Sequence, residues 1–140
     1  MSLRISLACE QYDRVQAIFD GRVPIEGCEV NAVPLSAEEC FHRAFNGAEF
    51  DVSELSASSY MMTTARGECP YIAVPAFVSK CFRHSSIYIR TDRGIRTPHD
   101  LIGKRIGLPE YQMTACLWAR GILEDEYGVR PKDIRWFTGG

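Results

Sequence analysis

With 140 residues, 46% of them hydrophobic and 24% charged, the chain has the size and balance of one ordinary globular domain rather than a disordered or fibrous segment. Sixteen Lys and Arg against 18 Asp and Glu leave a net charge of −2, which provides no broad positive field for nucleic acid or an anionic membrane surface. No run of about 18 or more apolar residues occurs, so no membrane-spanning helix is expected.

Residues 3–8 alternate apolar and polar side chains and then break at Glu10-Gln11-Tyr12-Asp13, which reads as a strand, a loop and a helix to Phe19 with Asp13 as its N-cap. Gly21 and Pro24 punctuate the exit, and residues 29–35 read as a second strand. Ser36-Ala37-Glu38-Glu39 has the form of a capping box, and Ala37, Cys40, Phe41, Ala44 and Phe45 recur on one helical face. Residues 50–55 read as a short third strand. The run Ser56-Ala57-Ser58-Ser59 then opens a helix that reaches Arg66 and stops at Gly67.

β-Branched and aromatic content predicts two further strands over 71–78 and 86–90. Thr97-Pro98-His99-Asp100 is an N-cap with proline at the first helical position and an acid in the first turn; Gly103 ends that turn and 104–108 follows as a strand. A long helix is expected over 113–127, with Met113, Cys116, Leu117, Leu123 and Tyr127 near one stripe, closed by Gly128 and followed by a last strand over 134–137. Strands alternating with helices imply an α/β fold, a mostly parallel sheet with flanking helices. The pattern restarts near Arg93-Gly94, which predicts a first lobe over 1–92 and a second over 93–140. With only two strands the second lobe is incomplete, and its remainder is expected beyond this chain.

The six cysteines, Cys9, Cys28, Cys40, Cys69, Cys81 and Cys116, are never two or three residues apart, so neither a zinc knuckle nor a redox pair is spelled out. Between Arg4 and Glu10 lie only five residues, too short for the core of a secretory leader, and the expectation is a reduced, cytoplasmic protein. Its histidines, His42, His84 and His99, form no two-histidine metal spacing, and neither a glycine-rich phosphate loop nor a serine elbow occurs.

In parallel sheets ligands bind beyond the carboxyl ends of strands, where loops lead into helices. Residues 10–13, 56–60 and 110–114 fit that position. Ser56, Ser58, Ser59 and Thr114 offer short hydroxyl donors at helix starts, suited either to a carboxylate or simply to capping. Arg83 is either a bidentate carboxylate clamp or a solvated loop side chain, and His84 either a proton donor or a structural histidine.

The stretches Tyr12-Asp13-Arg14, Glu49-Phe50-Asp51-Val52-Ser53-Glu54-Leu55-Ser56, Phe82-Arg83-His84-Ser85-Ser86 and Leu101-Ile102-Gly103-Lys104-Arg105-Ile106-Gly107 are joined by Pro109-Glu110-Tyr111-Gln112-Met113-Thr114-Ala115 and Trp118-Ala119-Arg120-Gly121. Together they resemble the 4,5-dihydroxyphthalate decarboxylase family, along essentially the whole chain. The resemblance implies the two-lobed fold of type II periplasmic solute-binding proteins closing on an aromatic dicarboxylate. It also implies non-oxidative loss of carbon dioxide to give a dihydroxybenzoate, a route that needs no electron-accepting cofactor, and no metal site is indicated by the residues. On that reading Arg83, Ser56, Ser58, Ser59 and the helix start at Gln112, Met113 and Thr114 contact the substrate, His84 donates the proton, and Tyr12, Asp13 and Tyr111 orient or deprotonate the ring hydroxyls. The partner is a small aromatic carboxylate, and a homo-oligomer is compatible with it. The rival reading is a solute-binding protein that captures an organic acid without reaction.

Overall fold

The computed structural model describes residues 2–139 of the chain. The first strand, β1 (Leu3–Cys9), is followed by a short helix α1 (Gln16–Phe19), then β2 (Cys28–Pro34), α2 (Ala37–Gly47), β3 (Val52–Ser53) and α3 (Ala57–Ala65). These strands form one parallel sheet in the order β2-β1-β3. Pairing of β1 with β2 runs from Leu3↔Cys28 to Cys9↔Pro34, whereas β3 meets β1 only at Leu7↔Val52 and Ala8↔Ser53. The third strand is therefore shorter than its apolar pattern predicts.

Helix α2 starts as expected, with the Ser36 hydroxyl accepting from the Glu39 N–H at 3.3 Å. Only that half of the capping box is seen, because the Glu39 carboxylate turns to Arg43 instead, at 3.3 Å. The helix packs small side chains against the sheet: Ala8, Cys40 and Ala44 are fully buried with Phe50, flanked by Val33, Leu35, Phe41, Leu55 and Tyr71. Small residues allow close approach, and the Cys40 thiol donates to the carbonyls of Ala8 and Glu54 at 3.4 and 3.5 Å. At the far end of α2, Ala48 sits in the left-handed region (φ 47°) as the C-cap, where a Cβ is penalised. Ala48→Gly is expected to raise stability by about 0.5–1 kcal/mol, since relief of that penalty outweighs the added freedom of the unfolded chain. A urea titration measures it, and an unchanged or lower midpoint would show that the cap is unstrained.

In the later part of the chain, Pro98–Leu101 forms a 3-10 turn whose box of Thr97 and Asp100 is complete. It is followed by β4 (Arg105–Leu108), α4 (Thr114–Tyr127) and β5 (Arg135–Thr138), with β4 and β5 parallel. Gly128 closes α4 in the left-handed conformation, as its position predicts. Leu101, Leu123, Val129 and Ile134 form the second core, flanked by Ile87, Ile95, Ile106 and Trp136.

The chain divides into two compact units, Met1–Lys80 and Cys81–Gly140. The division precedes the Arg93-Gly94 restart because Ile87 packs into the second core. No helix among the described residues is long and apolar enough to cross a membrane.

Three local expectations are corrected. Val15 rather than Asp13 is the N-cap of α1, because the Asp13 carboxylate is drawn to Arg14. The strands expected over 71–78 and 86–90 do not form. Pro75 removes a ladder donor in the middle of the first, and Ser86 belongs to the 3-10 turn His84–Ser86, its N–H bonded to the Arg83 carbonyl. Side chains such as Ile72, Phe77 and Tyr88 are consequently exposed. Finally, the buried stripe of α4 is Arg120, Ile122 and Leu123, while Leu117 and Tyr127 are exposed.

Candidate functional site

In the first unit, the carboxyl ends of β1 and β3 place Glu10, Tyr12 and Glu54 together. The Tyr12 hydroxyl donates to Glu54 Oε1 at 2.8 Å and reaches Glu10 Oε2 at 3.2 Å, while the Glu10 N–H donates to Glu54 Oε2 at 3.1 Å. Glu54 is only 9% exposed and held by its backbone: its N–H donates to the Ala8 carbonyl at 2.9 Å, and its own carbonyl accepts from Ser53 and Cys40. Burial, followed by the hydrogen bond to Glu54 and the charges of Glu54 and Glu10, pushes the Tyr12 phenol well above its ordinary range. Arg14 lies over the Tyr12 ring, 4.9 Å from its centroid, and donates to the Val78 carbonyl at 2.6 Å.

Asp13 is fully exposed and pairs with Arg14 at 3.0 Å. The side-chain and backbone hydrogen bonds from Arg14 hold its carboxyl below the usual range, which weakens it as a base. Ser56 and Ser58 are buried, and the serine run is hydrogen-bonded within itself: the Ser59 hydroxyl donates to Ser56 Oγ at 3.4 Å, and Ser56 and Ser58 lie 3.5 Å apart. Ser56 makes no side-chain cap to α3.

In the second unit, Arg83 is half-buried at the start of the turn His84–Ser86, and its guanidinium engages no other side chain among the described residues. His84 Nε2 lies 2.9 Å from the Glu126 carboxylate of α4, an exposed pair. Tyr111, Gln112 and Met113 form the turn into α4, with Met113 as its N-cap and Thr114 its first residue. That turn is organised from beneath by Arg120. Its guanidinium stacks 3.7 Å from the Tyr111 ring centroid, and its Nη1 donates to the Tyr111 carbonyl at 2.6 Å. Tyr111 in turn meets Trp136 of β5 edge-on, centroids 6.2 Å apart.

An open trough of about 820 Å³ beside β4 contains none of these candidates. Of its charged lining residues Arg90, Asp92, Arg93, Lys104 and Arg105, Arg90 and Asp92 pair with each other at 2.6 Å. Among the described residues no three or more His, Cys, Asp or Glu side chains converge to hold a metal ion.

Residues 10–13, 56–60 and 110–114 all lie where a loop leads into a helix, and the first and last of these segments are organised by two buried charged residues that the sequence did not single out, Glu54 and Arg120. Each had a signal. Glu54 is a charge inside the segment 50–55 that reads as the third strand, and Arg120 interrupts the apolar spacing Cys116, Arg120, Leu123 on α4.

Residues 9–140 match a family model described as the periplasmic substrate-binding protein of a phosphonate ABC transporter. Along 99% of its length the chain is 54% identical to a 4,5-dihydroxyphthalate decarboxylase of Comamonas testosteroni and 50% identical to one of Pseudomonas putida. It spans 42% and 54% of those two proteins, about half of their length.

Proposed function

The chain belongs to the family of phosphonate-type periplasmic substrate-binding proteins of ABC transporters, and we propose that on this scaffold the protein is a non-oxidative carboxy-lyase acting on an aromatic dicarboxylate such as 4,5-dihydroxyphthalate. The observation that carries this reading is the 54% and 50% identity, over 138 residues, to two proteins of that name. The general scaffold resemblance specifies a fold, whereas identity at this level also covers the loops where function resides.

In the proposed reaction, a ring hydroxyl para to the departing carboxylate feeds electron density into the ring. A general acid protonates the carbon bearing that carboxylate, the electrons of the carbon–carbon bond return to the ring, and carbon dioxide leaves. One proton is taken up for each carboxylate lost, with no net oxidation. Arg83 supplies a planar fork of donors for a carboxylate, and Gln112 and Thr114, where α4 begins, supply polar groups beside its N-terminal N–H groups. His84, beside Glu126, is the proposed proton donor, since an imidazole can hold or release a proton near neutral pH. A reducing, cytoplasmic location accords with the six free thiols.

The intact protein given 4,5-dihydroxyphthalate is expected to release carbon dioxide and a dihydroxybenzoate identifiable by chromatography. Arg83→Ala is expected to lower kcat/KM roughly tenfold, the effect of one charge-assisted hydrogen bond at a half-buried position. Tight binding without gas or product would leave a solute-binding protein in place of an enzyme.

A further inference from the structure

A phenol has one proton to give. In Tyr12 it is committed to carboxylates, at 2.8 Å to Glu54 and 3.2 Å to Glu10, and Glu54 is buried and anchored on both its oxygens. Toward anything outside, the Tyr12 oxygen therefore presents lone pairs only. A ligand carboxylate has no proton to offer there. It would also meet the charges of Glu10 and Glu54, at a cost of about 3 kcal/mol for each unit charge some 5 Å away at an effective dielectric constant near 20. A ligand hydroxyl, by contrast, donates to Tyr12 and carries no charge.

We infer that Tyr12, positioned by Glu54, is a specificity-determining contact that accepts a hydrogen bond from a ring hydroxyl of the substrate. The hydroxylated edge of the aromatic ring, not its carboxylates, then faces the carboxyl ends of β1 and β3. This narrows the ligand class to hydroxylated aromatic acids and rests on the decarboxylase reading for the aromatic acid itself. Tyr12 makes the contact; Glu54 acts through it, by fixing which way the phenolic proton points.

The test compares two ligands by calorimetric titration of the intact protein: 3,4-dihydroxybenzoate, the product of the proposed reaction, and benzoate, which lacks the ring hydroxyls. Wild type is expected to prefer the hydroxylated ligand. Tyr12→Phe, which keeps the ring and its contact with Arg14, is expected to weaken 3,4-dihydroxybenzoate about tenfold and leave benzoate unchanged. Glu54→Gln is expected to lose the same discrimination, since its amide presents a donor to a site built around two donors. Equal losses for both ligands in Tyr12→Phe, or no loss for either, would overturn the inference. Equal affinities in wild type would do the same. The carbon dioxide assay fails or succeeds independently: a protein that discriminates the hydroxyls but releases no gas refutes the decarboxylase and retains the hydroxyl contact.

Discussion

Arg120→Ala is expected to destabilise the protein by about 3 kcal/mol, the sum of a desolvated cation–π contact, a lost hydrogen bond to a charged donor and the packing of the arginine stem. Arg120 is only 6% exposed, and among the described residues no carboxylate lies within ion-pair distance of it. Its charge is accommodated instead by the face of Tyr111 at 3.7 Å, by the Tyr111 carbonyl at 2.6 Å and by Trp136 at 6.0 Å. One side chain thereby ties α4, the turn before it and β5 together. Removing it leaves two aromatic rings without their central contact. Lysine retains a cation but loses the planar stack and the fork of donors, so Arg120→Lys is expected to recover no more than about half of the loss. Urea denaturation followed by tryptophan fluorescence reads both variants. A change below about 0.5 kcal/mol in Arg120→Ala would mean that the guanidinium is solvated and that the turn holds its shape without it.

At pH 8 the Cys9 thiol is expected to react with iodoacetamide about a hundredfold more slowly than an ordinary accessible thiol. Cys9 is 4% exposed at the end of β1, and burial, reinforced by the charge of Glu54, pushes its pKa from 9.0 to about 11. The thiolate is the nucleophile, and its fraction at pH 8 falls from roughly one tenth to roughly one thousandth over that shift, before any steric protection is counted. Because the folded value lies above the unfolded one, the contribution to stability is intact below pH 9.0 and is lost as pH rises toward about 11, by about 2 kcal/mol across that window. Mass-resolved labelling of the native protein, with the exposed Cys81 as internal standard, measures the reactivity. Equal labelling of Cys9 and Cys81 would show that the end of β1 opens readily. The buried Cys40, whose thiol burial also pushes up, is expected to stay protected beside Cys9.

Much of the architecture was legible in the amino-acid order because it depends on local rules. Ser36 begins α2, the Thr97–Asp100 box begins its turn, and Gly67 and Gly128 adopt positive φ where their helices end. These signals act through neighbours three or four residues away, which a single chain displays directly. The alternation of strand and helix likewise implied parallel pairing, and both sheets are parallel. The quoted motifs led to the decarboxylase family, to whose named members the chain is similar along nearly its full length.

What only the tertiary structure decided is the set of facts that depend on partners distant in sequence. A strand exists only where a second strand supplies its ladder, so the aromatic and branched residues of 71–78 and 86–90 could not by themselves reveal that they remain unpaired. The stripe of α4 could not reveal that an arginine lies at its buried centre, because burial of a charge depends on Tyr111 and Trp136 being brought over it. Tyr12 and Glu54 are 42 residues apart, and nothing local indicates that the phenol's proton is taken by that carboxylate. The direction of a hydrogen bond depends on which groups the fold brings within 3 Å, and here it turns a tyrosine that could either donate or accept into one that can only accept from a ligand.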